Sequence, residues 1–107
     1  LQKILNDLML NTKIHESNNL AHEIQRGMVS RVREMYSRAK DLGVKQAPFY
    51  VLIGAEMPAI LVETGFLTNR YEMKRLASKP YQESLAEGIC LGIRSYIESI
   101  SKVFQGG

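Results

Sequence analysis

Residues 59–69 read AILVETGFLTN, an apolar run that ends abruptly at Glu63. Residues 59–62 are apolar at every position instead of alternating, which is the pattern of a strand covered on both faces, typically in a parallel sheet. In open α/β sheets, ligands bind at the carboxyl ends of the strands. The stretch therefore predicts a buried strand that presents Glu63 at its end.

The rest of the chain divides into helices and one more short strand. Apolar residues recur at helical spacing over about 1–10 and again over about 13–40, with Asn11-Thr12 as either an interruption or a point within one longer helix. Residues 49–53, FYVLI, are β-branched and aromatic and predict a strand. Asn69 and Glu72 fit a capping box that begins a short helix to about residue 78, and Pro80 suits the first turn of a final helix. The apolar stripe predicted for that final helix is Leu85, Ile89, Ile93, Ile97, Ile100 and Phe104.

The predicted order is helix, helix, strand, strand, helix, helix. Two strands alone leave unpaired edges and an uncovered face. We therefore predict that residues 1–107 form the C-terminal part of one larger α/β domain, a mostly parallel sheet with flanking helices. The chain starts at Leu1 rather than Met and runs straight into a helical pattern, so we expect a fragment or a processed chain.

The bulk composition is that of an ordinary globular protein. The 107 residues suffice for one small domain, and 45% of them are apolar and 23% charged. The net charge of +3 is too small an excess to indicate nucleic acid, and the arginines of 26–40 alternate with acidic residues, as on a solvated helix face with local ion pairs. The apolar runs fall far short of a membrane span. The single cysteine, Cys90, excludes an internal disulfide and predicts a packed, inert thiol.

Two kinds of side chain are candidates for chemistry. Position alone leaves Glu63 open between a strand-end carboxylate that pairs with a cation and a general acid or base. His15 and His22 lie seven residues apart, whereas a helical pair of metal-binding histidines usually sits four apart. We therefore interpret both histidines as exposed or capping residues rather than metal ligands.

The region 44–96 resembles the C-terminal part of the zinc-dependent N-acetylmuramoyl-L-alanine amidases of bacterial cell walls, and the helices before it are similar as well. The elements that carry the resemblance are Phe49-x-Val51-Leu52, Met57-Pro58, Leu61-Val62-Glu63-x-Gly65-Phe66-Leu67-x-Asn69, and Tyr81-Gln82 with Leu85-Ala86-Glu87-Gly88-Ile89. Together they are specific, whereas Val-Glu-x-Gly-Phe alone is a weaker signal.

The resemblance implies a peptidoglycan hydrolase of the cell envelope, periplasmic or secreted, that cleaves the amide between N-acetylmuramic acid and the L-alanine of the stem peptide. It implies that Glu63 is the catalytic general acid/base beside a zinc-bound water. The family's zinc ligands, two histidines and a glutamate, lie upstream and match no part of this chain. We therefore expect the chain to be inactive without the N-terminal half of the same domain.

Two further expectations follow from the resemblance. Some autolysins of this kind that act in cell division are held inactive by an upstream helix and switched on by partner proteins, so an activator protein is an expected partner besides peptidoglycan. The alternative function is a non-catalytic peptidoglycan-binding or regulatory fragment of the same fold. Under either function we expect no nucleic-acid partner and no membrane span.

Overall fold

The computed structural model describes residues 1–47, 50–65 and 68–105. They form four helices joined by extended segments and turns: α1 (Gln2–Met35), α2 (Tyr50–Ile53), α3 (Arg70–Ala77) and α4 (Lys79–Gln105). The described ranges contain no β-strand. The predicted α/β sheet with flanking helices is therefore wrong for this chain, which folds as a helical unit.

Both predicted strands take other conformations. Residues 50–53 form the single turn of α2. The turn that follows has a hydrogen bond from the Ala55 amide to the Leu52 carbonyl at 3.3 Å. Phe49 of the predicted strand and the terminal Gly106-Gly107 lie outside the described residues. Residues 59–62 are in irregular backbone with no ladder partner in the described ranges. A short apolar run has no period that distinguishes a covered strand from a buried segment of another kind, and a strand is stable only when another strand accepts its hydrogen bonds.

The first two predicted helices are one helix of 34 residues. Thr12 does not interrupt it, because its hydroxyl donates to the Leu8 carbonyl of the same helix at 2.9 Å. The helix ends at Met35, about five residues before the predicted end, with Tyr36 as the C-terminal cap. The ring of this cap residue contacts Tyr81 of α4.

The core is an antiparallel pair formed by α1 and α4. Tyr96 contacts Glu16 at one end of the pair, and Ser84 contacts Met35 at the other. Between these points the two backbones meet at glycines: a Cβ atom added to Gly92 would lie 2.3 Å from the Ile24 Cα, and one added to Gly88 would lie 2.5 Å from the Met28 Cα. Only glycine permits this approach, because any side chain there would overlap the facing backbone.

The buried face of α4 is not the predicted one. The buried residues of α4 are Tyr81, Gly88, Gly92 and Tyr96, whereas Ile93 and Ile97 of the predicted stripe are 40% and 55% exposed. Cys90 is exposed as well, so the prediction of a packed thiol is wrong. The helix turns its smallest residues toward α1, and the larger apolar side chains are displaced to the flank.

An aromatic corner attaches α3 to the pair. The Tyr36 and Tyr81 rings meet edge to face with centroids 5.9 Å apart, and the Arg75 guanidinium of α3 lies 4.2 Å from the centroid of the Tyr36 ring. Such aromatic and cation–π contacts each contribute on the order of 0.5–1.5 kcal/mol. The corner therefore fixes α3 against both long helices.

The opposite end of the helix pair leaves much apolar surface uncovered. The chain exposes 8609 Å², whereas a folded monomer of 12.1 kDa exposes about 6,000 Å². Its radius of gyration is 16.3 Å, against about 13 Å for a compact domain of this length. The exposed apolar side chains at this end include Leu1, Ile4, Leu8 and Met9 of α1 and Val103 and Phe104 of α4. In the described ranges no helix is both long enough and apolar enough to cross a membrane.

One polar contact fixes the two long helices relative to each other. The buried Tyr96 hydroxyl donates to the Glu16 Oε2 at 2.7 Å. Burial, followed by the hydrogen bond to Glu16 and the charge of that residue, raises the pKa of Tyr96 from 10.0 to about 12. The folded protein therefore holds the phenolic proton more tightly than the unfolded chain does.

Tyr96→Phe is expected to lower the free energy of unfolding at neutral pH by about 1.5 kcal/mol, the lower end for a hydrogen bond to a charged group. Because the folded-state pKa is raised, the contribution of the hydroxyl is fully present below pH 10 and is lost as the pH rises toward 12. The stability difference between wild type and variant should therefore stay constant from pH 8 to just below pH 10 and shrink between pH 10 and pH 12, in urea unfolding followed by circular dichroism. Tyr71→Phe, at a ring that is 76% exposed, is the control, and a difference that does not change with pH would contradict the assignment.

Candidate active site

The predicted catalytic residue lies on an irregular stretch between α2 and α3. We call residues 59–65 the Glu63 segment. The Glu63 side chain is exposed, not set into a covered strand end as predicted. Its carboxylate is therefore open to solvent and to any substrate that reaches this surface.

Side chains of α1 hold the approach to the Glu63 segment. The Ala59 amide, at the first residue of the segment, donates to the Ser17 Oγ at 3.0 Å. Upstream, the Lys13 Nζ donates to the Leu52 carbonyl at the end of α2, also at 3.0 Å. Each bond joins residues about forty positions apart in sequence, so each fixes tertiary structure rather than a local turn.

The other end of the Glu63 segment lies against α3. Gly65 has a φ of +154°, a value that L-residues rarely adopt, and a Cβ added there would lie 3.3 Å from the Leu76 Cδ1. Four residues later the Asn69 side chain caps α3, accepting from the Tyr71 and Glu72 amides at 3.0 and 3.2 Å. The predicted N-cap at Asn69 is confirmed. Phe66 and Leu67 of the motif lie outside the described residues.

The histidines lie on α1 and are exposed, as predicted. The His15 Nε2 lies 3.5 Å from the Asn19 Nδ2, one helical turn away. In the part of the chain that the structure describes, no three His, Cys, Asp or Glu side chains are grouped as metal ligands would be. The described residues therefore do not fit a zinc site.

A second surface feature lies away from Glu63, between α1 and α4. It is a shallow groove of about 330 Å³. Arg31 lies 3.4 Å from Glu34 on the same helix and 3.9 Å from Glu87 on α4. Arg26 likewise pairs with Glu23. The predicted local ion pairs are confirmed for Arg26 with Glu23 and for Arg31 with Glu34, whereas the pair of Arg31 with Glu87 joins two helices. The groove is lined by Arg31, Ala86, Glu87, Cys90, Leu91 and Arg94.

Sequence reasoning did not find Ser17 and Lys13. Each is one polar residue in a long amphipathic helix, a pattern that predicts solvent exposure. The partner of each is a backbone group of another segment, and backbone groups leave no trace in a sequence pattern. The glycine contacts did leave a signal, since Gly88 and Gly92 are four residues apart and so lie on one helix face.

Comparison with known proteins gives the family. The model of the N-acetylmuramoyl-L-alanine amidase family matches residues 8–95, which include the whole Glu63 segment. The chain therefore belongs to the N-acetylmuramoyl-L-alanine amidase family, and the resemblance proposed from the sequence motifs is confirmed.

Individual relatives agree with the family match. The chain is similar to the uncharacterised protein YqiI of Bacillus subtilis, with 39% identity over 82 residues that cover 77% of this chain and 37% of YqiI. It is 36% identical over 80 residues to the N-acetylmuramoyl-L-alanine amidase LytC of Bacillus subtilis, covering 75% of this chain and 15% of LytC. It is 33% identical over 96 residues to the amidase AmiA of Salmonella typhimurium, covering 90% of this chain and 32% of AmiA. The chain thus spans well under half the length of these relatives. No solved structure gives a significant match.

Proposed function

We propose that this chain supplies the general acid/base of a peptidoglycan amidase. The bond to be hydrolysed is the amide between the lactyl group of N-acetylmuramic acid and the L-alanine of the stem peptide. The observation that carries the proposal is that the family match runs through the Glu63 segment, whose carboxylate is exposed at the surface. We place the reaction in the cell envelope, where this substrate occurs.

Glu63 has two proton transfers to perform in this proposal. Its carboxylate accepts a proton from water as the water oxygen attacks the amide carbonyl carbon. The tetrahedral intermediate then breaks its C–N bond, and the Glu63 carboxylic acid gives the proton to the departing amine of L-alanine. The products are a lactyl carboxylate and a stem peptide with a free amino terminus. Both transfers need the carboxylate at hydrogen-bond distance from the reacting atoms, which is why the anchoring of the Glu63 segment matters.

The chain is proposed to act together with further polypeptide of the same catalytic domain, as its C-terminal part. Support comes from the uncovered apolar side chains of α1 and α4 and from the fraction of each relative that the chain spans. A group of exposed apolar side chains gathered at one end of a helix pair is typical of a surface that is covered in the working protein. Alone, the 107 residues are expected to be inactive. Zinc is proposed as a cofactor of the complete protein with ligands outside the described residues, and metal analysis of the purified complete protein tests this.

Product analysis tests the proposed function directly. The complete protein is incubated with purified muropeptides, and the products are separated and identified by mass spectrometry. We expect intact stem peptides with a free L-alanine amine together with peptide-free glycan. Cleavage within the glycan or between stem-peptide residues would contradict the proposal. Peptidoglycan binding without any cleavage would favour the non-catalytic alternative.

A further inference from the structure

We infer that Ser17 is a positioning residue for Glu63, acting through the backbone of the Glu63 segment. This inference rests on the proposed function. It begins with the hydrogen bond from the Ala59 amide to the Ser17 Oγ, 3.0 Å long and partly buried. Ser17 touches neither Glu63 nor any reacting atom in this assignment. Its effect on catalysis is to hold the first residue of the segment that carries the carboxylate.

The Glu63 segment depends on such a bond because it has little other backbone support. Irregular backbone with no strand partner in the described ranges gains no ladder hydrogen bonds. Glu63 is four residues from the bond at Ala59 and two residues from the contact of Gly65 with α3. Four residues of chain reach at most about 14 Å, so loss of the Ala59 anchor loosens Glu63 on the side toward α2, where the next hydrogen bond to α1 in the described residues is the one from Lys13 to Leu52.

Ser17 is itself held in place. It is half-buried on α1, next to Glu16, whose carboxylate accepts the buried Tyr96 hydroxyl at 2.7 Å. That bond fixes the rotation of α1 about its axis relative to α4 at this level. The direction in which the Ser17 hydroxyl points is therefore set by the helix pair, and the position of Ala59 follows from it.

The Ser17 hydroxyl contributes to position more than to helix stability. Serine is a weaker helix former than alanine by about 0.5 kcal/mol, so Ser17→Ala gains helix propensity while it loses the bond to Ala59. The two effects offset each other in the free energy of unfolding. They do not offset each other in the placement of Glu63, because propensity within α1 does nothing to hold the Glu63 segment.

The test compares three variants of the complete protein on muropeptides. Ser17→Ala is expected to lower kcat at least about 10-fold with little change in KM, because displacement of a catalytic group by about 1 Å can cost up to about 100-fold. Ser17→Thr keeps a hydroxyl acceptor and should restore most of the lost kcat. Ser30→Ala makes the same change at an exposed position of α1 and should match wild type. A Ser17→Ala enzyme with the kcat of Ser30→Ala would overturn the inference.

A second measurement follows the anchor without using activity. Hydrogen exchange at the Ala59 amide, read by NMR, should be slow in wild type and in Ser30→Ala and at least about 10-fold faster in Ser17→Ala, because a lost hydrogen bond exposes the amide to water. Equal exchange in wild type and Ser17→Ala would overturn the inference. If wild type cleaves muropeptides and Ser17→Ala does so equally well, the inference fails while the proposed function stands. If wild type itself does not cleave them, the proposed function fails and the inference fails with it.

Discussion

Glu63→Gln is expected to reduce muropeptide hydrolysis by the complete protein at least about 100-fold, the lower range for loss of a general acid/base. Glutamine has nearly the shape of glutamate, so the Glu63 segment should keep its anchors at Ala59 and Gly65. It cannot accept the proton of the attacking water or return it to the departing amine. We therefore expect the loss to appear in kcat, with substrate binding largely retained.

The control for this variant is Glu56→Gln. Glu56 is an exposed glutamate seven residues earlier in the same connection, and its substitution removes the same charge from the same surface. It should leave kcat within about 2-fold of wild type, because surface substitutions away from a site have small effects. Near-wild-type hydrolysis by Glu63→Gln, with a metal content equal to that of wild type, would show that Glu63 is not the proton shuttle.

Gly92→Ala is expected to destabilise the contact between α1 and α4. The added Cβ would lie 2.3 Å from the Ile24 Cα and 2.6 Å from the Ile24 backbone nitrogen. Both neighbours are backbone atoms, so no rotamer change relieves the overlap and the two helices must move apart. Overpacking of this kind costs about 1–3 kcal/mol or more, which exceeds the gain of about 1 kcal/mol in helix propensity.

Gly54→Ala provides the comparison for the glycine contact. Nothing lies within 4 Å of a Cβ atom added at Gly54, so the same chemical change meets open space. Gly54→Ala should change the free energy of unfolding by no more than about 0.5 kcal/mol. In thermal unfolding followed by circular dichroism, its Tm should therefore stay close to that of wild type, whereas the Tm of Gly92→Ala should be clearly lower. Equal Tm values for the two variants would mean that α1 and α4 are not in contact at Gly92.

The local elements could be predicted because their signals lie within a few residues of each other. The side chain of Asn69 caps the helix that begins one residue later, and the helical spacing of apolar residues marked both long helices. The family was found in the same way, from a motif that is continuous in sequence around Glu63 and is confirmed by the match over residues 8–95. That Glu63 is catalytic stays a prediction for the glutamine variant to test.

The failures share a different cause. The strand predicted at 59–62 required neighbouring strands, and a run of four apolar residues contains no information about whether neighbours exist. The isoleucine stripe of α4 was predicted from its helical spacing, which marks an apolar face but does not determine which face the neighbouring helix contacts. In the structure the glycines face α1 instead, because two helices that come close enough for their backbones to touch gain contact along their whole length.

The sequence by itself determined the long helices, the cap at Asn69, the family, and the place of Glu63 in the family's motif. These depend on residues that are close together along the chain. Only the tertiary structure decided which face of α4 is buried, that the Glu63 segment is irregular and has no strand beside it in the described residues, and that Ser17 of α1 holds its first residue. Each of these depends on which distant backbone atoms meet, and backbone atoms are the same at every position of a sequence.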